Sequence, residues 1–141
     1  MQSFLSLVKE AKKANSFTSI ALGKFDGMHI AHQEIFKALD SNGMVLCIES
    51  NRGELLPKPY RDFYCEFPIY HLALDIIKEK SGEDFVRFIC GILPNLKRIV
   101  VGYDFRFGKD RNCYTFDLQK YFQGEVVVIE EVFCKKLSVH S

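Results

Sequence analysis

The sequence lacks several features that would assign the protein to a special class. It contains no tryptophan and only 4 prolines in 141 residues. No apolar run approaches the roughly 20 residues that a membrane-spanning helix needs. Its 19 basic and 18 acidic residues nearly balance, so no excess of charge indicates a nucleic-acid or membrane partner. We therefore expect a single globular domain over residues 1–141.

Cysteine usage also excludes two common kinds of site. The 5 cysteines are an odd number, are widely spaced and include no Cys-x-x-Cys pair. This pattern argues against a disulfide framework and against a zinc site. We therefore expect reduced thiols and a cytoplasmic protein.

The apolar residues, in contrast, are abundant and grouped into short runs. Hydrophobic residues make up 48% of the sequence. Four of these runs are predicted as strands, at residues 18–22, 44–49, 98–102 and 125–132. The patterns of the other segments predict helices at 4–14, 30–39, 70–80 and 115–122, and a further helix that begins at residue 81 or 82. On the first helix, Phe4, Leu5, Val8 and Ala11 are expected on the apolar face. Apolar strands alternating with helices favour an α/β fold, a parallel sheet with helices on both faces.

A first polar cluster follows the first predicted strand. Gly23 and Gly27 allow a close approach of the backbone to a ligand, and Asp26 can cap the following helix. His29 and His32 are three residues apart, so both project from one side of the first helical turn. A helix amino terminus with two imidazoles suits a phosphate. The same residue types are also ordinary turn residues, and the His-x-x-His pair could instead bind a metal, although no third ligand stands at a suitable spacing.

A second polar cluster, "GYDFRFGKDR" (102–111), follows the third predicted strand. A carboxylate in the position of Asp104 would face the crevice at the carboxyl ends of the strands, where ligands bind in such sheets. Phe105 and Phe107 can either pack in the core or contact a ring of the ligand.

Together the two clusters resemble a known enzyme family. "GKFDGMHIAH" (23–32) is similar to the Gly-x-Phe-Asp-Gly-x-His-x-Gly-His signature of nucleotidyltransferases, with Ala31 in place of a glycine. "VVGYDFRFGKDR" (100–111) resembles the Gly-x-Asp-Phe-Arg-Phe-Gly segment of bacterial FAD synthetase. That enzyme is the FMN adenylyltransferase module of the bifunctional riboflavin kinase/FAD synthetase family. The resemblance covers residues 16–141.

The resemblance implies a Rossmann-like nucleotidyltransferase fold and the conversion of ATP and FMN to FAD and pyrophosphate, with Mg²⁺. His29 and His32 would be the catalytic residues, contacting the ATP phosphates. The other residues implied for ATP are Gly23, Lys24, Phe25, Asp26, Gly27, Ser138 and Ser141. Those implied for the flavin and adenine side are Ser50, Asn51, Asp104, Phe105, Arg106, Phe107 and Gly108. No residue is assigned to the metal.

The carboxy-terminal part departs from the family pattern. The family continues with a Ser-Ser-Thr-x-Ile-Arg segment that binds the triphosphate, whereas this sequence ends "KKLSVHS". We therefore expect a chain truncated within that segment and without a riboflavin kinase domain.

The implied reaction suits these residues chemically. The attacking phosphate oxygen is already ionised near neutral pH, since its second pKa is about 6, so no general base is needed. Catalysis then rests on positioning and charge stabilisation, with direct in-line transfer and no covalent intermediate. Two alternatives stay open: a related nucleotidyltransferase with another phosphate acceptor, and a nucleotide- or flavin-binding module without activity.

Overall fold

The computed structural model describes residues 2–23, 35–49 and 67–129, and within these ranges one parallel sheet organises the protein. Its six strands stand in the order β1-β4-β3-β2-β5-β6, and each neighbouring pair is parallel. The strands are β1 (Gln2–Ser3), β2 (Ser19–Gly23), β3 (Gly43–Glu49), β4 (Ile69–Ala73), β5 (Arg98–Gly102) and β6 (Glu125–Ile129).

Helices cover this sheet. They are a 3₁₀ helix (Phe4–Lys9), α1 (Ala11–Ser16), α2 (Leu74–Ile77), α3 (Gly82–Ile92), a second 3₁₀ helix (Lys109–Arg111) and α4 (Thr115–Tyr121). Residues 35–37 are also helical. Ser81 caps α3, because its hydroxyl accepts a hydrogen bond from the backbone N–H of Asp84 at 3.2 Å. The sequence therefore located the start of α3 correctly.

Alternating strand residues form two separate cores, one on each face of the sheet. In β2, Ile20 and Leu22 pack on one face, against the first 3₁₀ helix, α1, α3 and α4. Ala21 points to the other face, where Ile35, Phe36 and Leu39 lie. This alternation is the ordinary consequence of strand geometry. The expected α/β fold, a parallel sheet with helices on both faces, is confirmed.

The expectation of a helix over residues 70–80 was wrong in its first half. Residues Ile69–Ala73 form β4, and the helix α2 occupies only Leu74–Ile77. β4 pairs in parallel with β3, with Tyr70 opposite Leu46 and Leu72 opposite Ile48. A short apolar run has no decisive period of its own, so pairing with a neighbouring strand determined the outcome.

The apolar face expected for the amino-terminal helix was correct for Phe4 and wrong for Leu5, Val8 and Ala11. Phe4 and Leu7 are buried, whereas Leu5 and Val8 are 37% and 62% exposed. The segment is a 3₁₀ helix, in which residues three apart share a face, rather than an α-helix. Ala11 begins a separate helix and is exposed, and Ala14 is the buried residue there.

A polar cluster ties the amino end of β2 to the loop that leads into β3. The hydroxyls of Thr18 and Ser19 each donate to the Asp40 carboxylate at 2.8 Å, and the backbone N–H of Asn42 donates to it at 3.0 Å. Burial raises the pKa of Asp40, but these hydrogen bonds and the charge of Arg98 outweigh that effect and hold it below its ordinary value. The cluster lies at the opposite end of the strands from their carboxyl edge.

None of the helices in the three described ranges has the length and apolar content that crossing a membrane requires.

Candidate functional site

The order of the strands creates a crevice between β2 and β5. The chain runs from β2 to β3 and β4 on one side, and then returns to form β5 on the other side of β2. Ala21 is opposite Val100 in this pair, so Gly23 and Gly102 end the two strands at the same level. In open α/β sheets ligands bind at such a switch point, beyond the carboxyl ends of the strands. The two polar clusters of the sequence therefore begin side by side.

The two strand ends themselves, Gly23 and Gly102, add no side chain to this crevice. Gly23 has a φ of 154°, which residues with a Cβ rarely adopt. A Cβ built on Gly102 would lie 3.4 Å from Oδ1 of Asp104 and 4.0 Å from Cδ1 of Ile35. Gly102 therefore faces the side of the sheet that carries the helical residues after β2. A Cβ at position 102 would therefore make only ordinary van der Waals contacts with the described atoms. The glycine leaves space open at this position, but packing among the described residues does not require it.

Many of the predicted site residues lie outside the described residues. They are Lys24, Phe25, Asp26, Gly27, His29, His32, Ser50, Asn51, Ser138 and Ser141. The structure does describe Gly23 and the whole segment from Asp104 to Gly108.

Asp104 lies in the turn that directly follows β5, and its side chain is exposed. The turn is fixed by two backbone hydrogen bonds, from Tyr103 N–H to the carbonyl of Ile129 at 2.9 Å and from Phe105 N–H to the carbonyl of Gly102 at 3.1 Å. With Oδ1 close to the Gly102 position, the carboxylate borders the crevice. Asp104 therefore stands at the carboxyl edge of the sheet, and its contact with a ligand stays a prediction.

The two phenylalanines of the second cluster pack on each other. Their rings are stacked with centroids 5.8 Å apart, and the Phe107 ring also lies 5.7 Å from that of Phe85 in α3. Phe107 is buried and belongs to the core of the face covered by α3 and α4, and Phe105 packs against that core. Core packing is thus the role that the geometry gives to Phe107.

The loop after Phe107 is folded back tightly against the start of α3. Phe107 and Cys113 form an antiparallel bridge through two backbone hydrogen bonds of 3.1 and 3.0 Å. Gly108 has a φ of 84°, and a Cβ on it would lie 3.1 Å from the backbone nitrogen of Gly82 and from Sγ of Cys113. Asp110 and Arg111 also have positive φ values, 59° and 56°. Non-glycine residues in this conformation store strain, which is frequent in loops that hold functional groups.

Cys113 is not suited to act as a nucleophile. Burial raises the pKa of its thiol, the nearby Asp117 carboxylate raises it further, and the hydrogen bond from the Gly82 N–H only partly offsets these effects. The thiol therefore stays protonated near neutral pH, and the protonated form is unreactive.

Two aromatic side chains near the predicted site residue Arg106, Tyr114 and Phe116, were not singled out by the sequence. The guanidinium carbon of Arg106 lies 4.8 Å from the centroid of the Tyr114 ring. The rings of Tyr114 and Phe116 are stacked, with centroids 5.9 Å apart and planes 13° apart. A signal was present in the sequence: Phe116 stands two residues before the buried Leu118, which places it about 200° around the helix from the core-facing side.

Within residues 2–23, 35–49 and 67–129, no group of three or more His, Cys, Asp or Glu side chains could hold a metal ion.

Several curated proteins are similar to this chain. The trifunctional protein RibF/MnmA of Mycoplasmoides gallisepticum is 29% identical over 142 residues, which cover 95% of this chain and 21% of that protein. A bifunctional riboflavin kinase/FMN adenylyltransferase of Buchnera aphidicola from Acyrthosiphon pisum is 28% identical, and the match covers 95% of this chain and 51% of that protein. The corresponding protein of the Schizaphis graminum strain is 29% identical, with 74% and 41% covered. The chain thus spans about half or less of the length of these relatives.

Comparison with solved structures supports the fold. A crystal structure described as a macrolide-efflux protein from Streptococcus pneumoniae superimposes with a TM-score of 0.57 at 23% identity, covering 82% of this chain and 45% of that one. No protein-family model matches the chain. The comparisons confirm the resemblance carried by the two sequence motifs: over most of its length, this chain is similar to part of the bifunctional riboflavin kinase/FMN adenylyltransferase family.

Proposed function

We propose that this chain transfers an adenylyl group from ATP to FMN, giving FAD and pyrophosphate. The observation that supports this most strongly is the position of Gly23 and Gly102, which end two adjacent parallel strands at the same level of the switch point. Each glycine opens one of the two sequence motifs, and the names of the relatives, which include FMN adenylyltransferase, fit those motifs.

The proposed ATP site lies on the β2 side of the crevice. His29 and His32 would contact the phosphates there, and the amino end of the helix that follows β2 would add its unpaired N–H groups. Lys24 supplies a cation in the same segment. These groups are proposed from the sequence motif, because they lie outside the described residues.

The chemistry requires charge stabilisation rather than acid–base catalysis. The attacking oxygen of the FMN phosphate already carries a negative charge near neutral pH. It attacks the α-phosphorus of ATP, a new P–O bond forms, and the bond to the departing pyrophosphate breaks. The protein must hold two anions in line and neutralise the charge that develops. Arg106 and Arg111 provide exposed cations on the β5 side, and Lys109, also exposed there, pairs with Glu79 at 3.5 Å.

Mg²⁺ fits this proposal through the donors it prefers. Magnesium keeps several water ligands and is commonly held by substrate phosphates with only one or two carboxylates, so a cluster of three protein ligands is not needed. Asp104 is a carboxylate at this edge, and we propose it as a direct or water-mediated contact to the ion. When bound, the ion would neutralise part of the negative charge of the phosphates.

A cytoplasmic location, expected from the cysteine usage, belongs to the same proposal.

The test is an activity assay with a panel of acceptors. The protein is incubated with ATP, Mg²⁺ and either FMN, riboflavin or another phosphate ester, and the products are separated by chromatography. We expect FAD and pyrophosphate in equal amounts with FMN, and no product with riboflavin, which lacks the attacking phosphate. Adenylylation of another phosphate ester in preference to FMN would support a related nucleotidyltransferase instead. Tight binding of ATP and FMN without any product would support a binding module.

A further inference from the structure

Arg98, the first residue of β5, joins three elements at the amino edge of the sheet. Its Nε donates to Oε1 of Glu125 in β6 at 2.9 Å, and its Nη1 donates to the backbone carbonyl of Ala38 at 2.9 Å. Because one planar guanidinium makes both hydrogen bonds, the contact with Glu125 fixes the direction in which Arg98 meets Ala38. Neither of the two sequence motifs contains Arg98.

The Ala38 carbonyl lies at the end of the helical segment that follows β2. Residues 35–37 are helical, and the backbone N–H of Ala38 donates to the carbonyl of Ile35 at 3.1 Å. The last carbonyls of a helix have no partner within it, and they carry partial negative charge. A cation that donates to one of them satisfies that carbonyl and interacts favourably with the helix dipole. Arg98 therefore holds the carboxyl end of this segment.

The same segment also borders the crevice between β2 and β5. A Cβ at Gly102, the last residue of β5, would lie 4.0 Å from Cδ1 of Ile35. One end of the segment thus lies near the last residue of β5, and the other end is bound by the first. Asp40, directly after the segment, is attached to β2, because its carboxylate accepts a hydrogen bond from the Ser19 hydroxyl at 2.8 Å. The segment is therefore attached to both strands that flank the crevice, at their amino ends.

The position of this segment matters for the proposed reaction. Adenylyl transfer requires two anions to be held in line, and a misplacement of about 1 Å can lower such a rate about a hundredfold. The proposed function puts the ATP phosphates beside Gly23, at the amino end of the helix that follows β2. A change in the tilt of the segment would move that end without removing any group that contacts a ligand. The effect should fall on the chemical step more than on the binding of either substrate.

We propose that Arg98 is a positioning residue for adenylyl transfer, because its hydrogen bond to Ala38 sets the tilt of the segment that follows β2 relative to the crevice. Arg98 itself lies at the amino edge of the sheet and does not contact the substrates. This inference rests on the function proposed above. His29 and His32, which precede the segment in the sequence, lie outside the described residues.

The test compares kcat with stability in matched variants. Arg98→Met removes both hydrogen bonds, and Arg98→Lys is a milder second variant that keeps the charge but lacks the planar fork. Arg87→Met is the matched control, because Arg87 pairs with Glu83 at 2.7 Å on the exposed side of α3. Val86→Ala provides a loss of stability on the opposite face of the sheet, where Val86 is buried. For each variant, kcat and KM for ATP and FMN are measured below the onset of thermal unfolding.

We expect Arg98→Met to lower kcat for FAD formation by about tenfold, with less than about a twofold change in either KM. If Arg98→Met does not fold, Arg98→Lys decides, with an expected loss in kcat of about threefold. Arg87→Met should leave kcat unchanged, and Val86→Ala should lower the midpoint of thermal unfolding without lowering kcat.

An unchanged kcat in the folded Arg98 variants would give Arg98 a purely structural role and would overturn the inference, while leaving the proposed function intact. A raised KM for ATP at an unchanged kcat would overturn it as well. No FAD formation by the unaltered protein would overturn both the inference and the proposed function.

Discussion

At the scale of single residues, Asp40 shows how a polar side chain can stabilise the framework that positions the site. Its carboxylate accepts hydrogen bonds from Thr18 and Ser19 at the start of β2, and Ser19 is completely buried. The Ser19 hydroxyl also accepts a hydrogen bond from the backbone N–H of Asp40 at 3.1 Å. A buried hydroxyl that loses its acceptor carries a free-energy penalty, so the cluster acts as a unit.

We expect Asp40→Ala to lower the free energy of unfolding by about 2–3 kcal/mol, because it removes a charged acceptor and leaves the Ser19 hydroxyl without its partner. Asp75→Ala is the control, since Asp75 pairs with Lys78 at 2.9 Å where both side chains are about half exposed. An exposed pair of that kind contributes about 1 kcal/mol or less. Denaturant unfolding measures both values. Equal losses of unfolding free energy in Asp40→Ala and Asp75→Ala would show that the Asp40 cluster contributes no more than an exposed ion pair.

The same residue predicts a pH dependence of stability. The pKa of Asp40 in the folded protein lies below its ordinary value of 3.8, so the folded state binds fewer protons than the unfolded state in this range. Its contribution is therefore complete above that value and is lost as the pH falls through the lower pKa of the folded state. We expect the stability difference between the unaltered protein and Asp40→Asn to shrink between about pH 5 and about pH 2. A constant difference across that range would show that Asp40 does not titrate as inferred.

At the scale of elements, a close contact holds the loop after β5 against the start of α3. Gly108 and Gly82 meet backbone to backbone, and a Cβ on Gly82 would lie 2.5 Å from the Cys113 sulfur and 3.0 Å from the Phe107 ring. Both glycines therefore permit a distance between loop and helix that no side chain would allow.

Gly108→Ala should destabilise the protein by about 1–3 kcal/mol, because a Cβ conflicts with the positive φ and with the backbone of Gly82. It should also weaken FMN binding by displacing Arg106, which the sequence motif assigns to the flavin side. Gly91→Ala is the control: Gly91 lies in α3, the helix that the loop contacts, and a Cβ there meets no described atom within 4 Å. That substitution should raise stability by up to about 1 kcal/mol. Thermal unfolding and FMN titration compare the two variants. Equal effects of Gly108→Ala and Gly91→Ala on stability and on FMN binding would show that the contact between the loop and α3 is unimportant.

Most elements were predictable from local patterns, and the failures have a common physical cause. The start of α3 and the apolar runs of β3 and β5 are local signals, and each was located correctly to within one residue. The residues of β4 were expected to be helical. They form a strand because they pair with β3, which is remote in sequence, and no local pattern shows that pairing. The exposed Leu5 and Val8 show the same limit, because packing against the sheet selected a 3₁₀ helix.

At the scale of the whole molecule, the order of the strands determines where chemistry can occur. The sequence placed two polar clusters after two strands, but only the topology shows that β2 and β5 are neighbours. The role of Phe107 could not be read from its motif, because burial against Phe85 depends on how α3 packs. Asp104, in contrast, was assigned correctly to the carboxyl edge from its position after a strand alone.

A larger side chain at the switch point should block ligand binding without unfolding the protein. We expect Gly102→Val to raise the Kd for ATP by at least about tenfold, on the order of 1.4 kcal/mol, because the new side chain projects into the crevice from the end of β5. A β-branched residue suits a strand, and the φ of Gly102 is not positive. Circular dichroism should show an unchanged fold. Normal ATP binding in a folded Gly102→Val protein would place the ATP site elsewhere.

The two histidines should matter for turnover rather than for folding. We expect His29→Ala and His32→Ala each to lower kcat for FAD formation by at least about tenfold, because each would remove a contact to the charge that develops on the phosphates. His71→Ala is the control, since His71 lies in β4, two strands away from β2. Unchanged rates in His29→Ala and His32→Ala would show that the motif has been misinterpreted.

The central claim is that one site, between the carboxyl ends of β2 and β5, holds both substrates, and a crystal structure with a non-hydrolysable ATP analogue and FMN tests it most directly. The account predicts the triphosphate next to Gly23, with the FMN phosphate facing it and the flavin on the side of the loop that follows β5. Both ligands bound away from Gly23 and Gly102, or the analogue bound at the amino ends of the strands near Asp40, would contradict it.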